Sequence, residues 1–258
     1  PLTLLLIWVM AVTIVNPVGN FPLNDDWAYS RNVFYLSEHG ILKFSNWPAM
    51  TLIAQMIWGA LFTKVFGFSF TTLRVSVIIL GFIASYSFYE MTKRLCGNIK
   101  VAFLATLALL LNPLFFSLSF TFMTDIPFLT AAVVSFYFYA KHFYNPGRIK
   151  YLIFATFFAL AATYIRQTGV LLPVAALLVH VLFNRKFDKN LLYHSLSTVL
   201  VIVSLCLFVS WLKISGNLSK AFSTGSELFA ETNLVQISFG KKFRSEEHTS
   251  ELQSLAYL

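Results

Sequence analysis

The chain has 258 residues, of which 57% are hydrophobic and 12% charged, and its mean hydropathy is +0.71. Soluble domains carry about 25% charged residues, and a water-soluble globule of this size cannot hide 28 phenylalanines along with its other apolar side chains. The same hydrophobicity excludes disorder and collagen-like structure, which leaves an integral membrane protein.

The apolar runs are continuous over roughly 16–22 residues, the length of a membrane-crossing helix. They do not alternate over stretches of about ten residues, so a β-barrel is excluded. The expected fold is all-α, a polytopic transmembrane helix bundle with juxtamembrane helices on its outer surface. Spans are expected at 2–15, 72–92, 101–120, 127–143, 150–165, 168–183 and 191–212. Run 1–15 has the apolar core of a signal peptide, but further spans follow and a signal-anchor fits better. It opens without Met or a basic flank, so the true start is expected to be missing.

The formal charge is +8, yet the basic residues are scattered between spans. They act as topology signals, and no nucleic-acid partner is expected. Lys93, Arg94 and Lys100 mark one loop, Lys141, Arg148 and Lys150 a second, and Arg185, Lys186 and Lys189 a third. The positive-inside rule puts all three in the cytoplasm. The turns around Asp125 and Arg166 then face outward.

Residues 16–71 read as one outer loop carrying two surface helices. The first follows Asn24-Asp25-Asp26 and runs from Trp27 to Ser37, with Gly40 placed to end it. The second, within 49–66, is short, contains Gln55 and ends with Lys64 before Gly67. It is expected to lie at the interface or re-enter rather than cross. Residues 1–212 then form a transmembrane core. Beyond it the chain turns polar, and 213–243 read as the start of an outer loop. Residues 244–254, RSEEHTSELQS, match the in-frame translation of a common sequencing-library adapter, so 244–258 are expected to be an artefact.

Three places carry candidate chemistry. The pair Asp25-Asp26 sits where the first span meets the surface and can supply a general base or hold a cation; the plainer reading is helix capping. Asp125, in Phe122-Met123-Thr124-Asp125-Ile126-Pro127, is an ionisable group amid apolar sequence. Thr124 or Asp125 can also cap the helix that follows, with Pro127 in its first turn. Arg166 breaks two apolar runs on the outer side, where topology calls for no positive charge. A guanidinium there can grip a phosphate or snorkel to a lipid headgroup. Lys43 and Arg74 are weaker candidates of the same kind. His39, His142, His180 and His194 show no ligand spacing, and Cys96 and Cys206 no redox or metal spacing.

The order of these features resembles the bacterial relatives of dolichyl-phosphate-mannose protein mannosyltransferases and the lipid A aminoarabinose transferases, within the GT-C superfamily. The features are a short span, an acidic pair opening an amphipathic helix, and a Pro-led surface helix ending Lys64-Val65-Phe66-Gly67. Thr72-Leu73-Arg74 then opens a span ending Thr92-Lys93-Arg94-Leu95-Cys96-Gly97, and Met123-Thr124-Asp125-Ile126-Pro127 follows the next. The resemblance covers residues 1–185, the amino-terminal part of such an enzyme.

The resemblance implies a membrane glycosyltransferase that moves a hexosyl or pentosyl group from a polyprenyl-phosphate donor to a hydroxyl of a protein, lipid or glycan. Transfer would occur with inversion, at the outer face of a bacterial inner membrane. Asp25 matches the family's catalytic aspartate, Asp26 stands where many members have Glu, and Asp125 matches the second acidic residue. Members usually carry a small residue or Lys near Arg166, so the role of Arg166, Lys43 and Arg74 as holders of the donor phosphate follows from their own chemistry and not from the resemblance. Related enzymes differ over a divalent metal, so the resemblance fixes no cofactor. The rival readings are a lipid or solute transporter or flippase, and a non-catalytic membrane subunit. Transporters place ionisable groups near the bilayer midplane, whereas these acids fall in outer turns.

Overall fold

The structure is a computed structural model that describes residues 2–184 and 188–222, apart from the Asn184 side chain. Arg185, Lys186 and the expected adapter stretch 244–258 lie outside the described residues, as does most of 213–243. Within them every regular element is helical: α1 (Leu2–Val15), α2 (Asp26–His39), α3 (Ile53–Phe66), α4 (Phe70–Cys96), α5 (Ile99–Leu110), α6 (Pro113–Ser119), α7 (Asp125–Tyr144), α8 (Ile149–Thr163), a 3-10 turn (Gln167–Val170), α9 (Leu171–Asn184) and α10 (Lys189–Ile214).

By length and composition α4 and α10 are each able to cross a membrane. The run expected as one span over 101–120 is instead two helices, α5 and α6, bent by 63°. The break has a local cause. Asn112 accepts hydrogen bonds from the Leu114 and Phe115 amides, and Pro113 occupies the first position of α6, so the sequence starts a new helix there. α1 and α8 have 14 and 15 residues, about 22 Å of helix against a hydrocarbon core of about 30 Å.

Side-chain contacts set the helix directions. Thr130 of α7 donates to the Leu80 carbonyl of α4, and Arg94 of α4 lies 6.0 Å from the Tyr137 ring of α7. These two helices therefore run parallel. α8 returns antiparallel to α7: Ser135 donates to the Ala155 carbonyl, Phe138 stacks on Phe154, and Lys141 sits over Tyr151. α10 runs parallel to α8, through Thr156 with Ser197 and Tyr164 with Phe208. α1 packs on the outside of α4, where the Trp8 indole donates to the Ile78 carbonyl. One end of the bundle thus gathers the loops of Lys93, Arg94, Lys141 and Arg148. The other gathers the starts of α4 and α7 and the end of α8.

The helix α3 belongs wholly to this second end. Its first residues bond the end of α8: the Leu52 amide donates to the Ile165 carbonyl, Ala54 to Tyr164, and the Thr51 hydroxyl to the Thr163 carbonyl at 2.7 Å. Its last residue lies four positions before Phe70, where α4 begins. Both ends of α3 therefore meet the same end of the bundle, and it does not traverse it. Its middle packs there too: a Cβ on Gly59 would touch Phe122, Leu73 and Val33. Leu52 holds a left-handed φ of 57° while fully buried. A leucine there is strained, and the bonds to α8 hold it in place.

The helix α2 runs over Asp26–His39, starting one residue earlier and ending two later than expected. Gly40 ends it in the left-handed region at φ 66°, its amide donating to Leu36.

Candidate active site

The capping reading of the acidic residues can be judged against caps elsewhere in the chain. Ser69, Asn98, Asn112 and Asp188 each accept a hydrogen bond from an amide in the first turn of their helix. Asp25 and Thr124 occupy the same position before α2 and α7, and neither side chain caps. The Asp25 carboxylate makes no hydrogen bond among the described residues. The Thr124 hydroxyl is engaged elsewhere, accepting from Arg166 Nε at 2.8 Å and Nη2 at 2.6 Å. Arg166 Nη2 also donates to Asp125 Oδ1 at 2.8 Å. The guanidinium thus clamps two consecutive residues of the Thr124-Asp125 motif, with its Cζ over the Phe128 ring, 5.8 Å from the ring centre. Both Asp125 and Arg166 keep about a third of their side-chain surface exposed.

Asp25 faces the same place through Tyr29, one turn along α2. Burial raises the Tyr29 phenol above its ordinary value; the Asp25 and Asp125 charges push it the same way and the Arg166 charge opposes them. The charges of all three candidates, from three segments, are thus felt at one buried phenol. That hydroxyl also faces Met50 Sδ at 3.6 Å. Tyr29 was not singled out by sequence. The available signal is its place four residues after Asp25, which puts both on one helix face.

The turn is built from several sides. Gln55 of α3 donates to the Phe122 carbonyl at 3.0 Å, and Gln167 donates to the Ala49 carbonyl at 2.9 Å. The Gly169 amide donates to the Arg166 carbonyl at 2.9 Å. A side chain at Gly169 would strike the backbone of Ala162 and Thr163, so only glycine lets this turn fold back onto α8.

The remaining candidates are placed elsewhere. Asp26 is fully buried. Its Oδ1 accepts from the Leu23 amide at 2.7 Å, while Oδ2 has no hydrogen-bond partner. Burial raises its pKa, against the opposing effects of the Leu23 amide and the Arg74 charge. Arg74 is buried as well, and its guanidinium donates to the carbonyls of Pro17, Gly19 and Phe21. It is committed to holding the loop that leads into Asp25 and has no surface to offer a phosphate. Lys43 lies over the Tyr35 ring at 5.0 Å, beside Arg31, in a separate cluster from Arg166.

At the opposite end His142, His180 and His194 gather although their spacing gave no sign of it; the rings of His142 and His180 each lie 5.2 Å from that of His194. No group of three side chains able to hold a metal is found among the described residues.

A family model described as dolichyl-phosphate-mannose-protein mannosyltransferase matches residues 52–211. Comparison with curated proteins and with solved structures finds no match. The matched stretch includes α3, the Thr124-Asp125 motif and Arg166, and it begins after Asp25, Asp26 and Lys43. With its apolar helices and this match over most of its length, the chain belongs to the dolichyl-phosphate-mannose-protein mannosyltransferase family and is a GT-C-type membrane glycosyltransferase.

Proposed function

We propose that the chain transfers a sugar from a polyprenyl-phosphate donor to an acceptor hydroxyl, with inversion, at the outer face of a bacterial inner membrane. The observation that carries this reading is that the charges of Asp25, Asp125 and Arg166 are all felt at Tyr29, at the end of the bundle opposite the basic loops. Positive loops mark the cytoplasmic side, so the acidic end faces out. There a lipid-linked sugar is the form of activated donor that a membrane anchors.

Asp25 is the general base. Its carboxylate makes no hydrogen bond among the described residues, and it takes the proton of the acceptor hydroxyl as that oxygen attacks the anomeric carbon. The bond from the anomeric carbon to the phosphate oxygen breaks, and its electron pair leaves with the polyprenyl phosphate. Arg166 offers charge-assisted hydrogen bonds to the leaving phosphate. Asp125 and Thr124 fix the plane of that guanidinium, and Asp125 orients the acceptor. Asp26 and Arg74 act through the backbone: they fasten the 17–26 segment that aims Asp25.

The test is transfer from a radiolabelled polyprenyl-phosphate sugar by the whole protein in nanodiscs. Product with inverted anomeric configuration is expected. No transfer from any lipid-linked donor, with transport of the same lipid across the bilayer, would replace this reading with a flippase. Cysteine labelling supplies the sidedness: Gln167 and the exposed Asn46 should react from outside, Asn98 and Asn145 from the cytoplasm. Reaction of Asn46 and Asn98 from one side would overturn the outward assignment.

A further inference from the structure

Beside the candidate active site, a half-open cavity of about 410 Å³ lies between α2 and the loop 43–47. This is the size range of small-molecule sites, roughly 300–1,000 Å³. Trp27 and Trp47 stand at its walls with ring centroids 6.0 Å apart and planes inclined by 47°. Arg31 and Lys43 both lie over the ring of Tyr35, at 5.9 and 5.0 Å. Neither has a carboxylate within ion-pair distance among the described residues. Two cations thus crowd one ring without a counter-charge, an arrangement that an anion relieves.

The floor is more specific. Asn32 is buried, and its Oδ1 accepts from the Ser45 amide at 2.9 Å, which leaves the Nδ2 donor with no partner. The Ser45 hydroxyl is also buried and unpartnered. An unmet buried donor costs about 1–3 kcal/mol, so a ligand oxygen is the natural partner for Asn32. Tryptophans and basic residues at a membrane surface are ordinary anchors, but an anchor does not account for an unpaired amide beneath them. The walls are held independently of any ligand: the Ala221 amide donates to the Asn46 carbonyl, and the Ser219 hydroxyl to that of Pro48.

We propose that this cavity binds a sugar bearing a carboxylate or phosphate, belonging to the acceptor. Trp27 and Trp47, in contact with each other, would together offer an apolar wall to one C–H face of the ring, Arg31 and Lys43 hold the anion, and Asn32 and Ser45 meet the ring hydroxyls. Asn32 lies seven residues from Asp25 on the same helix face, about 10 Å along the axis at 1.5 Å per residue. A sugar held there reaches the general base with its neighbouring unit. The role as acceptor subsite rests on the transferase reading, whereas binding itself needs no turnover.

The experiment is saturation-transfer NMR on the whole protein in nanodiscs of phosphatidylcholine. The probes are glucuronate, glucose 6-phosphate, methyl glucoside and inorganic phosphate. Both anionic sugars should bind, with methyl glucoside and phosphate each at least about tenfold weaker. Arg31→Gln and Lys43→Gln are exposed changes that leave the fold intact, and each should weaken the anionic sugars about tenfold. Farnesyl phosphate should not compete. Equal binding of inorganic phosphate, or loss of sugar binding when phosphatidylglycerol is added, would reduce the cavity to an anion or lipid-headgroup site and overturn the proposal. Competition by farnesyl phosphate would assign it to the donor, and overturn it equally. Anionic-sugar binding without transfer would count against the transferase reading alone.

Discussion

Arg166 and Asp125, 41 residues apart, are joined at 2.8 Å, and the same guanidinium takes the Thr124 hydroxyl that would otherwise cap α7. A helix start has been given up to fix an arginine. Capping by Thr is worth about 1 kcal/mol, and a part-exposed ion pair contributes about as little. The exchange gains nothing in stability that a cap would not, so its sense lies in where the guanidinium is held.

Asp25→Asn tests the base directly. Asp25 makes no side-chain cap bond in α2, so the substitution leaves thermal unfolding nearly unchanged. Transfer should fall by about 10²–10⁴-fold, the usual loss for a general base. A variant with near-normal transfer would mean that another group takes the proton.

The Arg166–Asp125 pair should behave as one unit. Arg166→Gln and Asp125→Asn are each expected to lower transfer by at least about tenfold, with the double variant no worse than the poorer single one. Asp125→Asn leaves the guanidinium held only by Thr124, so a shared function predicts strong non-additivity. Strict additivity of the two losses in kcat/KM would show that they act separately.

The sequence disclosed the bundle, and α3 as a helix that does not run through it, because each leaves a one-dimensional trace: long apolar runs, and a short run closed by Lys64 and Gly67. It also disclosed Asp125 and Arg166 as charges in the wrong surroundings. Three things leave no such trace. The pairing of Arg166 with Thr124 joins two turns that nothing in the chain marks as neighbours. Arg74 looks like a spare surface cation, and only the fold reveals three carbonyls converging on it. Asp26 and Asp25 are the same residue type side by side, yet one is fully buried and the other keeps surface exposed, a distinction set by helix phase. The break at Asn112-Pro113 was legible from its capping residues, but hydropathy runs straight through it.

Asp26 also makes stability depend on pH in a stated direction. Burial lifts its pKa above the ordinary 3.8. A carboxyl raised in the folded state favours folding when protonated. That contribution is complete below the ordinary value and is lost as pH rises through the raised one. Thermal unfolding in detergent from about pH 4 upward should therefore show a decline that Asp26→Asn removes, since Asn keeps an acceptor for the Leu23 amide. An unchanged slope in the variant would show that the Arg74 charge already offsets the burial.

Gly169 links the backbone to the site, and its substitution separates geometry from chemistry. Its amide bonds the Arg166 carbonyl, and a Cβ there would overlap backbone atoms of Ala162 and Thr163. Backbone has no rotamer to yield, so the 164–170 turn must move away from α8. That movement strains the bonds from Thr51, Leu52 and Ala54 to the end of α8, and it displaces Arg166 from Thr124 and Asp125. Gly169→Ala should cost about 1–3 kcal/mol, as overpacking does. It should also lower transfer by up to about 10²-fold, the penalty for a displacement near 1 Å at a positioned group. Gly147→Ala is the control. It lies in the loop at the basic end with nothing within 4 Å of the added carbon, so a change within about 0.5 kcal/mol is expected. If Gly169→Ala unfolds earlier yet transfers normally in the remaining folded fraction, the turn matters for stability alone. Arg166 then has no part in the reaction that depends on its position.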